Sequence, residues 1–271
     1  MELRVSSRRI FRPLVVSPVA RFVAPLASSL ATSVAASLGA VLLAIGGAVL
    51  PGAAHAQTPS TQPKAPDTME ARVQGCTACH GSHGQGTDND YFPRLAGKPA
   101  GYLFNQLKNF RDGRRKYPPM NYLVTYLSDE YLHEIAVFFS QQRPPYPAPS
   151  RPTVSDTVLA RGQAIVLHGD TAKQVPACVA CHGHALTGME PAIPGLVGLH
   201  QDYISAQLGA WRTGSRRAIA PDCMHTIATR LSDEDVNAVA AWLSTQPAPQ
   251  NPVPAPAGSL KTPLACGSEP Q

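Results

Sequence analysis

The pentapeptide Cys-x-x-Cys-His occurs twice, as Cys76-Thr77-Ala78-Cys79-His80 and as Cys178-Val179-Ala180-Cys181-His182, and no other feature constrains the fold as much. Each copy sets two thiols one helical turn apart, able to add to the two vinyl groups of a haem. An imidazole for the iron follows at once. Paired thiols also suit zinc, but these pairs lie about a hundred residues apart, far beyond zinc-ribbon spacing, and each brings its own histidine. A thioredoxin-like redox site needs a βαβ setting that neither copy has. Two covalently bound haem c groups are therefore expected, attached through Cys76, Cys79, Cys178 and Cys181, with His80 and His182 on the irons.

Residues 1–56 read as an export signal. Arg4, Arg8, Arg9, Arg12 and Arg21 form a basic start, an apolar run extends through Leu50, and Ala54-His55-Ala56 makes a small-x-small cleavage site. The alternative, an uncleaved anchor over the apolar stretch from Leu30 to Leu50, is disfavoured by that site. A periplasmic location with cleavage after Ala56 follows. The leader holds five of the 23 Lys and Arg and one of the 18 Asp and Glu, leaving 18 basic and 17 acidic side chains behind it. The apparent basicity belongs to the leader. No nucleic-acid partner is expected, and peripheral association with a membrane stays open.

The rest of the chain is a repeat. After each haem motif come Gly81 or Gly183, then Gly86 or Gly188, then Pro93-Arg94-Leu95-Ala96-Gly97 or Pro194-Gly195-Leu196-Val197-Gly198. Tyr102, Gln106, Leu107, Phe110 and Gly113 match Tyr203, Gln207, Leu208, Trp211 and Gly214, and Leu127-Ser128-Asp129-Glu130 matches Leu231-Ser232-Asp233-Glu234. These spacings predict helices after Tyr102 and Tyr203, stopped at the glycines, and others capped by Ser128 and by Ser232 with Asp235. A short helix is also expected over 67–75 and a longer one over 156–168, each ahead of a haem motif, and nothing reads as an extended sheet.

The expected organisation is a disordered segment over 57–66, a first domain over 67–143 and a Pro-rich, semi-rigid extended linker over 144–155. A second domain over 156–246 and a Pro/Ala-rich tail over 247–271 complete it. Cys223 and Cys266 remain for a disulfide in an oxidising compartment, which would pin the tail over the second domain.

The second axial ligand separates a carrier from an enzyme. Met120 and Met224 each stand seven residues before the matched Leu127 and Leu231. That register favours paired iron ligands over the usual core-filling role of methionine. Cys223 and His225 flank Met224 and are further donors, and Met189, His184 and His200 lie in the same unit, although Met189 and His184 follow His182 too closely to reach the opposite haem face with ease. Arg114, Arg115, Arg216 and Arg217 follow matched glycines and are candidates for haem propionates, against a plain solvated reading.

Over residues 67–246 the layout resembles class I cytochrome c, and two fused units behind an export signal are most similar to the cytochrome c4 family. The resemblance implies an all-α fold of two tandem class I cytochrome c domains, each wrapped around one covalently attached haem with His–Met ligation. It implies that the carbonyls of Pro93 and Pro194 orient His80 and His182, and that the haems face each other across the domain interface. It also implies a respiratory electron carrier, taking electrons from a respiratory complex or dehydrogenase and passing them to a terminal oxidase. A cytochrome subunit of a dehydrogenase complex is a close variant. A two-haem peroxidase would need an openable iron, which two matched methionines oppose.

Overall fold

The computed structural model describes residues 66–88 and 91–269. The leader, its cleavage site and all but Pro66 of the 57–66 segment lie outside them. In the first half, Thr68 caps α1 (Met69–Arg72), and the chain breaks at Val73 before α2 (Gln74–His80). The single helix expected over 67–75 is thus two, and the second carries the haem motif. Next come α3 (Ala100–Arg111), α4 (Pro118–Val124) and α5 (Asp129–Gln141), the last capped by the Ser128 hydroxyl accepting from the Tyr131 N–H. Leu132, Ile135, Ala136 and Phe139 recur at helical spacing, and α5 packs that face on α3, where Leu103 and Phe110 are buried.

The second half runs α6 (Asp156–His168), α7 (Val179–His182), β1 (Gly188–Met189), β2 (Ile193–Pro194), α8 (Gln201–Thr213), α9 (Cys223–Arg230) and α10 (Asp233–Ser244). Its main contact is α6 on α10, and glycine permits it. A Cβ on Gly162 would lie 2.1 Å from the Ala238 carbonyl oxygen, so only a hydrogen there lets the two backbones touch. Ile165 and Val166 of α6 and Val236, Val239, Ala240 and Leu243 of α10 are buried in the same core. Asp235 has two tasks. It completes the capping box with Ser232, and its carboxylate takes hydrogen bonds from Arg161 of α6, at 2.9 Å, and from Lys173. Burial alone would raise the pKa of Asp235. The bonds from Lys173, Arg161 and the Ser232 N–H outweigh it and hold the carboxyl down at about 2.

The one sheet among the described residues is the antiparallel pair β1–β2, two residues on each strand. The tail joins it: Ala255 accepts from the Glu190 N–H at 2.9 Å and donates to the Gly188 carbonyl at 2.8 Å. Farther on, Cys266 is bonded to Cys223, the Gly267 N–H donates to the Pro221 carbonyl at 2.9 Å, and Asn105 of α3 donates to the Ser268 carbonyl at 2.9 Å. The tail therefore crosses the second half and touches the first at Ser268. Among the described residues no helix is long and apolar enough to cross a membrane.

Residues 144–155 form no helix or strand, and the segment is clamped at its start. The Arg94 guanidinium donates to the carbonyls of Pro144 and Pro145 at 2.6 and 2.9 Å and stacks 3.8 Å from the Tyr146 ring centre. Prolines offer acceptors and no N–H, so an arginine is a suitable clamp. Tyr146 packs on the second-half core. The halves also meet through two crossed arginines. Arg115 donates to Gln106 of its own half at 2.9 Å and to Tyr203 and Gln207 at 3.2 and 2.6 Å. Arg216 donates to Gln207 of its own half at 2.8 Å and to Tyr102 and Gln106 at 3.2 and 3.0 Å. Of the four arginines singled out in the sequence, Arg115 and Arg216 are thus committed to the join between the halves rather than to water.

Candidate haem-attachment sites

Cys76 and Cys79 lie three apart on α2, so their thiols share a face, and His80 closes the helix. In the second half Cys178 caps α7, which carries Cys181 and ends at His182. The next residue is Gly81 at φ +83° or Gly183 at φ +85°, a turn that a side chain would strain. It sends the chain round to place a proline carbonyl beside each imidazole. His80 donates its Nδ1–H to Pro93 at 2.9 Å, and His182 donates its own to Pro194 at 2.7 Å. With the proton held on Nδ1, Nε2 keeps its lone pair for a metal. Burial lowers the pKa of both imidazoles, leaving them neutral, which suits ligation.

All four thiols are unpaired. Burial raises the pKa of Cys76 and Cys181 and pushes Cys178 up to about 12, so these groups stay protonated. Among the described residues no group of three or more His, Cys, Asp or Glu could hold a metal ion. A closed zinc site needs four ligands. Two thiols and one pre-oriented imidazole per site fit a covalently attached haem instead.

Met120 and Met224 stand on α4 and α9, two short helices not foreseen from the sequence. Pro118 opens α4, where its missing N–H costs nothing, and the Asp222 carboxylate caps α9 by accepting from the His225 N–H at 3.0 Å. Both methionines are half-buried. Met120 packs against the cluster of Phe110, Val124 and Leu132, and Met224 against the second-half core. The structure brings each histidine together with its two thiols and its proline, and sets each methionine on a helix of its own. The rival donors are engaged elsewhere or exposed. Cys223 is in the disulfide, and His225 donates from Nδ1 to the Trp211 carbonyl at 2.9 Å. Met189 is buried in β1, His200 meets the Thr87 carbonyl at 3.2 Å, and His184 is exposed.

The Cys223–Cys266 bridge stands beside Met224 and closes a separation of 43 residues. A loop of that length is worth roughly 2–4 kcal/mol. Replacing both cysteines by serine is expected to destabilise the holoprotein by about that amount and to expose the tail to protease. Thermal melting and limited proteolysis of the oxidised protein against the variant check this.

One residue of this neighbourhood escaped sequence reading. Lys98 follows Gly97, is 8% exposed, and donates from Nζ to the Gly195 carbonyl at 2.9 Å. Burial, helped by Arg94 and Arg216 and opposed by Tyr203, pushes its ammonium down to about 8. The signal was present in the repeat. A lysine stands where the second half has Leu199.

The chain matches the cytochrome c family over residues 159–247. A thiosulfate dehydrogenase electron acceptor of Thiomonas intermedia is 40% identical over 64% of this chain and 78% of its own. Cytochrome c4 of Pseudomonas aeruginosa is 33% identical over 75% of this chain and 94% of its own. Among solved structures, reduced cytochrome c4 of Pseudomonas stutzeri superposes with a TM-score of 0.57 at 29% identity, covering 65% of this chain and 95% of that one.

Proposed function

Since the chain belongs to the cytochrome c4 family of dihaem class I cytochromes c, we propose that it is a periplasmic electron carrier with His80–Met120 on one iron and His182–Met224 on the other. Each half, over 67–143 and 156–246, wraps one covalently attached haem c, which supplies one-electron cycling between Fe(III) and Fe(II). The observation that carries the reading is the repeated arrangement of histidine and proline carbonyl, with a methionine at matched positions on α4 and α9. Pro93 and Pro194 hold the imidazoles in one tautomer. The thioethers favour the reduced state, and a fixed ligand set lets the electron arrive and leave with little rearrangement.

The 40% identity to a thiosulfate dehydrogenase electron acceptor supports a dehydrogenase as the donor, with thiosulfate oxidation the leading candidate for its chemistry. The acceptor is a terminal oxidase in this reading. The same likeness favours a second version, in which the chain is the cytochrome subunit of such a dehydrogenase.

A visible spectrum of the dithionite-reduced holoprotein, before and after carbon monoxide, tests the reading. No change is expected, because both irons are closed by protein ligands. A half-sized change would mean one open iron, and the peroxidase reading would replace the carrier.

A further inference from the structure

We propose that Lys98, a cation of the first half buried against the second, raises the reduction potential of the second haem and so draws a shared electron toward it. The inference rests on the two-haem reading above. Lys98 Nζ donates across the join to Gly195, and Gly195 directly follows Pro194, whose carbonyl fixes His182. The ammonium is thus anchored one residue along the chain from the acceptor that orients the second iron's histidine. The charged and titratable groups that act on it are Tyr203, Arg94 and Arg216, and its own charge is felt at His182. None of them is a carboxylate, so no acidic side chain among them cancels the charge.

Reduction lowers the charge at an iron by one. A fixed positive charge nearby in a poorly polarisable interior therefore favours the reduced state. Arg115 and Arg216 stand at matched positions of the repeat; the charge of Arg115 is felt at His80, and the cation felt at His182 is Lys98. Lys98 is unmatched, because its counterpart is Leu199. Arg94 of the first half is also buried and unmatched, with Gly195 as its counterpart in the repeat, but its guanidinium is turned to the carbonyls of Pro144 and Pro145.

Redox titration of the two-haem holoprotein tests this, with the second midpoint identified as the one displaced in Met224→Ala. Lys98→Met and Lys98→Gln are expected to shift the second haem about tenfold toward Fe(III), equal to about 59 mV for one electron. The first haem should move by less than about threefold. Lys98→Gln keeps a donor for Gly195 and so guards against a packing defect in Lys98→Met. Lys98→Arg, which keeps the charge, is expected to stay within about threefold of the parent protein. Unmoved midpoints, equal displacement of both, or an arginine variant that behaves like the methionine one would each overturn the proposal. Carbon monoxide binding by the reduced parent protein tests the carrier reading independently, whatever the Lys98 variants do.

Discussion

The Met224→Ala holoprotein is expected to bind carbon monoxide at half of its haem once reduced, and to lose on the order of 0.1–0.2 V from one midpoint, within the ~0.8 V that axial ligands span. Removing the thioether takes away the soft ligand that favours Fe(II) and leaves a gap where it stood. The neighbours are badly placed to fill it. Cys223 is tied to Cys266, and His225 has its Nδ1–H committed to the Trp211 carbonyl. Met120→Ala is expected to do the same to the other half of the haem, and the double variant to open both. The checks are a spectral titration with carbon monoxide and a redox titration. A Met224→Ala protein that stays inert to carbon monoxide would refute the ligand assignment, because a core-filling methionine would leave the iron closed.

Gly162→Ala is expected to cost the second half 3 kcal/mol or more, at the upper end of what overpacking does (~1–3 kcal/mol, occasionally more). On an isolated helix this change would stabilise by about 1 kcal/mol, since alanine is the better helix former. Here the added methyl would sit 2.1 Å from the Ala238 carbonyl oxygen and 2.9 Å from the Trp242 Cβ. The first contact is backbone, which no rotamer change can move aside, so α6 and α10 must separate along the seam that buries Ile165, Val239 and Leu243. Gly209 of α8 is the control: a Cβ there meets nothing within 4 Å. Gly209→Ala is expected to be neutral or to raise stability by up to about 1 kcal/mol. Thermal or denaturant unfolding of the two variants side by side checks the contrast, and equal melting points would sink it.

Much of the helical plan was legible because it is local. The caps at Ser128 and Ser232, the stops at Gly113 and Gly214, and the helix over 156–168 follow from side chains within a few residues of the backbone they satisfy. The Cys223–Cys266 pairing was reached by subtraction, four of six cysteines being spoken for. What stayed hidden is what lies across from each face. Periodicity put Tyr102 and Gln106 together on α3, and Tyr203 and Gln207 on α8, but could not say that an arginine from the opposite half would take both. For the same reason Pro144 and Pro145 read as a spacer: their carbonyls are visible in the sequence, and Arg94, some fifty residues away, is not marked as their partner. The break at Val73 was missed because that valine is fully buried, and tertiary packing there overrides the helical pattern.

The crossed arginines leave a trace of history. Tyr102, Gln106 and Arg115 face Tyr203, Gln207 and Arg216, and each arginine reaches the tyrosine and glutamine of the other set. That reciprocity is the mark of an isologous contact, in which one patch meets its own copy about a two-fold axis. A single ancestral unit bearing this patch could pair with itself before any fusion existed. The fused chain keeps the geometry of such a self-pairing contact, and each of the six side chains serves both halves at once.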